Sequence, residues 1–462
     1  MKKWLSLLLT VAMAVSLLTA CGGGGGADAP KVAGADGSSL PAYHTLKVGE
    51  DYTDLTAELR IISHRTDLIN DGTFAKYAEQ FNALYPNIKL NFEGITNYAD
   101  DMTARISSDD WGDICMVPTT IALPDLGGYF LGLCQVSDIA ADYNFASNRA
   151  FDGIVYGIPS TGNAQGIVYN SKVLKAAGYS YEDGTLPKTP DAFMQMLKDI
   201  KAKTDAIPLY TNFAAGWTMG AWDAYLGGCA TADPDWMNIT MPQTHDVFAD
   251  KGDGTGAYAV YKILYDAVKE GLVEPSVTAS DWEGCKPMIN NGEIGTMVLG
   301  SWAVIQMQEA GPNAADIGYM PFPITQPDGK QYASAGADYC FGVNKNCSDD
   351  NAIAAMLFIK WFTESSNFAY DQGGVPVLKS QAYPETLKAF DGIALIEDTP
   401  APTELATLQP DVNRESELSL NADNTHVQRV VEAAVNGKET YDDIIAEWNE
   451  RWNAAVDEYA PK

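Results

Sequence analysis

Glu58-Leu-Arg-Ile-Ile-Ser63, Ile88-Lys-Leu-Asn-Phe92 and Ile114-Cys-Met-Val117 are three short apolar runs, and what separates them decides the fold. Between the first two, Phe74, Tyr77, Ala78, Phe81 and Leu84 recur at helical spacing, and Pro86-Asn87 ends the pattern. Between the second and third, Asp100 to Ser107 reads as a further helix, with Met102, Ala104 and Ile106 partly apolar. Strand, helix, strand, helix, strand at this spacing requires parallel pairing with helical crossovers, which places the chain in the α/β class. The same grammar continues outward. Gly157 to Pro159, Gly166 to Tyr169, Thr296 to Leu299, Asp316 to Met320 and Tyr339 to Val343 read as strands. Helices are expected over 191–203, 257–270, 352–363 and 442–459, the first opening on Thr189-Pro190 as N-cap and first-turn proline. Roughly 400 residues after residue 58 exceed what one core supports, so two large lobes are expected. No internal linker separates them, so the chain should cross between the lobes more than once.

The amino terminus carries an address. Lys2 and Lys3 precede an apolar run from Trp4 to Leu18, and Leu18-Thr19-Ala20-Cys21 follows. This is the plan of a secretory signal over 1–20, too short for a comfortable membrane span. The four residues ending at Cys21 resemble a bacterial lipobox, so lipidation of Cys21 and anchoring at the outer face of the cell membrane are expected. The Gly-, Ala-, Asp- and Ser-rich stretch over 21–57 reads as a flexible tether. With 61 acidic against 30 basic residues and a formal charge of −31, the chain would repel nucleic acid over most of its surface. The six cysteines after Cys21 contain no C-x-x-C pair. They are expected mostly as buried free thiols, with Cys340 and Cys347 the first pair to check. Four histidines without metal spacing give no metal site, and no cofactor is expected.

Catalytic signatures are missing: there is no G-x-S-x-G, H-E-x-x-H or G-x-x-x-x-G-K-[ST] sequence. A binding protein rather than an enzyme is expected, a secreted glycoside hydrolase being the alternative. Ligands of open α/β sheets sit outside the carboxyl ends of strands. That rule selects His64, Arg65 and Asp67 after the first strand, Tyr98 after the second and Asp113 at the third. Sugar rings pack their C–H faces on aromatic rings while polar groups take the hydroxyls. Trp217 and Trp222, between a strand and a helix, and Trp302, just past Thr296 to Leu299, are therefore candidates, with core packing the alternative for each.

Several segments together resemble the family 1 extracellular solute-binding proteins of ABC importers. They include Phe81-Asn-Ala-Leu-Tyr-Pro86, Asp109-Asp-Trp-Gly-Asp113, Asp152-Gly-Ile-Val-Tyr-Gly-Ile-Pro159, the stretch from Pro187 to Phe193, Gly300-Ser-Trp-Ala303, Tyr319-Met-Pro-Phe-Pro323 and Gly373-Gly-Val-Pro376. Their order and spacing carry the likeness. The resemblance implies a type II periplasmic-binding-protein-like fold with a ligand cleft between lobes and a hinge of two or three crossing strands. It implies lobe one at 58–160 and 316–369, and lobe two at 161–315 and 370–462. It implies that Trp302 stacks on sugar, that an aromatic among 212–222 does likewise, and that Asp338 and Tyr339 lie near the cleft. The expected partners are a carbohydrate, sugar or oligosaccharide, and the membrane permease subunits of an ABC transporter. The binding protein itself is expected to be a monomer. A non-sugar solute or a sensor lipoprotein is the alternative within the same family.

Overall fold

The computed structural model describes residues 30–461 apart from 36, 97, 109, 110, 422 and 423, so the signal segment and Cys21 lie outside the described residues. Among the described residues thirteen strands form two sheets. The first holds β1 (Ala57–Ser63), β2 (Ile88–Gly94), β3 (Ile114–Met116), β4 (Cys134–Gln135), β5 (Arg149–Phe151), β6 (Ile154–Pro159) and β12 (Cys340–Val343), in the order β2-β1-β3-β12-β6-β4 with β5 on β6. The second holds β7 (Gly162–Asn170), β8 (Ile207–Leu209), β9 (Ile294–Gly300), β10 (Ile317–Pro321), β11 (Tyr332–Ala337) and β13 (Ala394–Ile396), in the order β13-β11-β7-β9-β8 with β10 on β7. β1, β2 and β3 run parallel, as helical crossovers demand, and β12 returns antiparallel between β3 and β6.

Each sheet has its own core. In the first lobe the helix Asp349–Glu364 is buried along most of its length. Its Phe358 ring stands 5.4 Å from Phe81 and 6.3 Å from Phe341, and its Phe362 ring 5.2 Å from Phe341. In the second, the closing helix Tyr441–Tyr459 starts on a Thr440–Asp443 capping box and buries Trp448 and Trp452 against Phe248. The helix Pro190–Lys203 opens as its sequence predicts, with the Thr189 hydroxyl accepting from the Ala192 amide.

Three segments pass between the sheets. β6 leads into β7 through Ser160 and Thr161, and β11 leads into β12 through Asp338 and Tyr339. The third crossing pairs Val375 with Gly162 by two backbone hydrogen bonds and then gives the Val377 carbonyl to Asn144. The crossings lie too close for side chains. A Cβ at Gly162 would stand 2.0 Å from the Phe145 ring, and one at Gly374 would stand 2.2 Å from the Thr161 hydroxyl.

Pairing revises the expected boundaries. Residues 317–321 and 332–337, expected in lobe one, pair with β7 in the second sheet, and only 340–343 of that stretch joins the first. An apolar run identifies a strand but not the sheet that satisfies its amides. Beyond it, Asp371 and Gln372, expected in lobe two, are held to the first lobe by Tyr77 and Arg65. The tether expectation also fails for 30–57. Ala33, Leu40, Tyr43 and Leu46 are buried in the first core, Val32 bridges Gly132, and the Tyr43 hydroxyl lies 3.2 Å from that of Tyr143. Few apolar residues, well spaced, suffice to fasten an otherwise polar strap to a core already formed. The six described cysteines are free: Cys340 at the start of β12 and Cys347 beyond its other end are unbridged.

Candidate functional site

A groove of ≈370 Å³ lies between the lobes, outside the carboxyl end of β1 and beside the crossings. His64, Arg65, Asp67 and Asp71 line it from the first lobe, Thr161, Asn163, Asp338 and Tyr339 from the crossings, and Trp302, Gln306 and Glu309 from the second. The first wall is polar and prearranged. Arg65 forks onto Asp67, its Nε and Nη2 donating at 2.7–3.1 Å, and Nη2 also donates to Gln372 Oε1 at 2.9 Å. Burial works to raise the Asp67 carboxyl, but the hydrogen bonds and charge of Arg65 outweigh it and hold the group below the usual carboxylate range. The His64 ring lies 4.4 Å from the Tyr339 ring and its Nε2 is 3.8 Å from Asp338. Burial pushes the imidazole pKa down, which favours the neutral ring, and its Nδ1 is buried without a hydrogen-bond partner among the described residues.

The second wall is aromatic. Trp302 opens the helix Trp302–Glu309, whose preceding Ser301 hydroxyl accepts from the Ala164 amide of β7. Trp217 stands 43 % exposed on the short helix Trp217–Gly220, and Trp282 opens the helix Trp282–Asn291. The three indoles meet at 4.9 Å (Trp217–Trp282), 5.7 Å (Trp217–Trp302) and 5.8 Å (Trp282–Trp302). Arg65, Asp67, Gln306 and Glu309 also line an adjoining hollow that runs out past Trp282 to Glu283 and Lys286, so the groove is open at that end.

Of the residues the sequence selects, His64, Arg65, Asp67, Asp338, Tyr339 and Trp302 line this groove, and Trp217 packs on its indole wall. The others stand elsewhere. Tyr98 is buried behind the groove, its hydroxyl donating to the Met116 carbonyl at 2.7 Å and its ring edge-on to His64 and Tyr339. Asp113 precedes β3, at the amino end of a parallel strand and so at the opposite pole from the groove, where its carboxylate accepts from the Arg60 amide and the Asn351 side chain at 2.8 Å each. Trp222 is 2 % exposed in the second core against Phe322, because the turn after Trp217 carries it inward. Sequence reasoning missed Trp282, Asn163, Gln306, Glu309 and Gln372. Trp282 directly follows an N-cap aspartate, Asp281, a signal that marks a helix start but not what it faces.

One set of possible metal donors occurs among the described residues, far from the groove in sequence and lining: His44, Cys134 and Asp138, whose donor atoms lie within 4.8 Å of one another. Burial pushes the Cys134 thiol up to about 12, which favours the neutral thiol over a metal-binding thiolate. His44 Nδ1 already pairs with Asp138 at 3.3 Å.

Comparison with known proteins places this geometry. The model of the bacterial extracellular solute-binding protein family matches residues 66–367. A manno-oligosaccharide specific solute binding protein, BlMnBP2 of Bifidobacterium animalis subsp. lactis, solved with mannotriose, superposes with a TM-score of 0.83 at 43 % identity, over 90 % of this chain and 98 % of that one. BlMnBP1 of the same organism, an ABC transporter binding protein solved with mannobiose, gives the same values. The diacetylchitobiose binding protein DasA of Streptomyces coelicolor is 30 % identical over 223 residues. That match spans 46 % of this chain and 45 % of the relative's length, so the chain matches less than half of that curated relative.

Proposed function

The chain belongs to the bacterial extracellular solute-binding protein family and works outside the cytoplasm, and from that premise we propose that it captures short mannose-type oligosaccharides in the interlobe groove and hands them to an ABC permease. The observation that carries this reading is one groove with two chemically different walls. A hydrogen-bonding wall of His64, Arg65 and Asp67 faces indoles that include Trp302. A hexose presents the same pair of surfaces, hydroxyl edges and C–H faces. Relatives 43 % identical over nine-tenths of the chain, solved with mannobiose and mannotriose, support the choice of sugar.

In this reading Trp302 and Trp217 supply the stacking surface. Arg65, Asp67, Asp338, Tyr339 and His64 take hydroxyls. The lobes, built on the two sheets, close about the three crossings, the hinge motion common to two-lobe periplasmic binding proteins. We assign it no catalytic step. Cys21 carries the lipid anchor, and the protein acts as a monomer beside its permease. Since residues 30–57 are fastened to the first lobe, residues 22–29 alone separate that lobe from the anchor.

Thermal unfolding with mannobiose, mannotriose and, as a control, a tripeptide tests the proposal. Saturation at 100 times the dissociation constant should add about 2.7 kcal/mol of stability. A protein stabilised by the peptide and by neither sugar overturns it.

A further inference from the structure

The groove's charges are arranged asymmetrically. Its carboxylates are Asp67, Asp71, Asp338 and Glu309, and its one guanidinium is that of Arg65. Arg65 is already committed, with Nε and Nη2 on Asp67 and Gln372. At the open end Lys286 is bound by both oxygens of Glu283 at 2.9 Å. Glu309, at the last position of the helix Trp302–Glu309, makes no hydrogen bond or ion pair to a described residue. Both parts of the groove share it.

We infer that the groove selects its ligand by charge: it admits uncharged oligosaccharides and excludes chains that bear carboxylate, sulfate or phosphate groups, with Glu309 the residue that sets this selectivity. The inference rests on the carbohydrate reading and deepens it. A hydroxyl can donate to a free carboxylate, whereas an anionic substituent can only face it. To find a counter-charge, such a substituent would have to share Arg65 with Asp67, whose carboxylate stands against the same guanidinium. Like-charge contacts at an interface discriminate strongly against the wrong partner. The side chain of Asp67 is 56 % exposed and Glu309 stands at the rim, so ions screen the effect, and screening supplies a signature that shape exclusion lacks.

The test compares β-1,4-mannotriose with the corresponding mannuronate trisaccharide, which differs by a carboxylate in place of each CH₂OH, by calorimetry on the whole secreted protein. At low salt the uronate should bind at least about 100-fold more weakly, equal to about 2.7 kcal/mol. Raising the ionic strength from about 0.02 to 0.5 M should narrow that ratio, as screening lengths shorten from about 20 to 4 Å. Glu309→Gln should narrow the low-salt ratio by about threefold to tenfold, and Glu309→Lys should narrow it further. Equal affinities for the two trisaccharides overturn the inference. So does a ratio that neither salt nor Glu309→Gln moves, which would mean exclusion by shape. If mannotriose itself fails to bind, the carbohydrate reading falls first and this inference falls with it.

Discussion

The two walls of the groove are built by different means. The first is a set of polar side chains at the carboxyl end of a parallel strand, held by one another: Arg65 by Asp67 and Gln372, His64 by Tyr339 with Tyr98 behind both. The second is a cluster of indoles that open separate helices, held by ring contact and by the strands those helices follow. A polar wall of this kind fixes hydroxyl geometry before ligand arrives. An apolar wall supplies area and tolerates sliding. The pairing teaches where affinity and specificity should separate: area on the second lobe, orientation on the first.

The sharpest way to break this division is to compare two tryptophans of the second lobe. Trp222→Ala should cost about 3–5 kcal/mol of stability, the usual effect of emptying a buried aromatic site, measured by denaturant unfolding without ligand. Trp302→Ala should leave the unfolding midpoint nearly in place while weakening mannotriose by about 100-fold, some 2.7 kcal/mol by calorimetry. If Trp302→Ala also unfolds the protein, the indole wall is core rather than site. On the first wall, Arg65→Lys keeps the charge but loses the planar fork on Asp67 and the bond to Gln372. It should weaken the same ligand by about tenfold, and an unchanged affinity would show that orientation is set elsewhere.

The smallest effect concerns Glu397, which shares a hollow with Phe145, Val375 and Lys379 beside the third crossing. Burial, reinforced by the nearby Asp398 charge, raises the Glu397 carboxyl from 4.5 to about 7, against the pull of the Phe145 amide. The folded protein therefore holds a proton that the unfolded chain releases near 4.5. Stability from this group falls as pH rises from about 4.5 through 7. Glu397→Gln should reduce that slope to the part due to Asp398, which burial raises from 3.8 to about 6, and should raise the thermal midpoint at pH 8 relative to the parent while leaving it little changed at pH 4. A parallel pair of pH profiles would place the proton on another group.

Much of this was legible in the chain. The helical spacing between Ile61 and Ile114 dictated parallel pairing, and the carboxyl-end rule then led directly to His64, Arg65 and Asp67. The same rule misled at Asp113, because a residue before a parallel strand and one after it look alike in a short motif yet lie at opposite poles. Trp217 and Trp222 are five residues apart, and nothing local tells which faces the groove and which the core; the short helical turns between them decide it. Trp282 and Glu309 entered the site only because β9 and the helix after it brought distant stretches alongside β7.

By itself the sequence determined the period of each element, the strand-helix alternation, the acidic surface and the chemical types available for a site. Tertiary structure alone decided which sheet β10 and β11 complete, that residues 30–57 pack rather than float, and which indoles line the groove. The reason is physical: periodicity is a property of neighbours along the chain, whereas pairing, burial and convergence depend on which distant surface satisfies a given amide or covers a given ring.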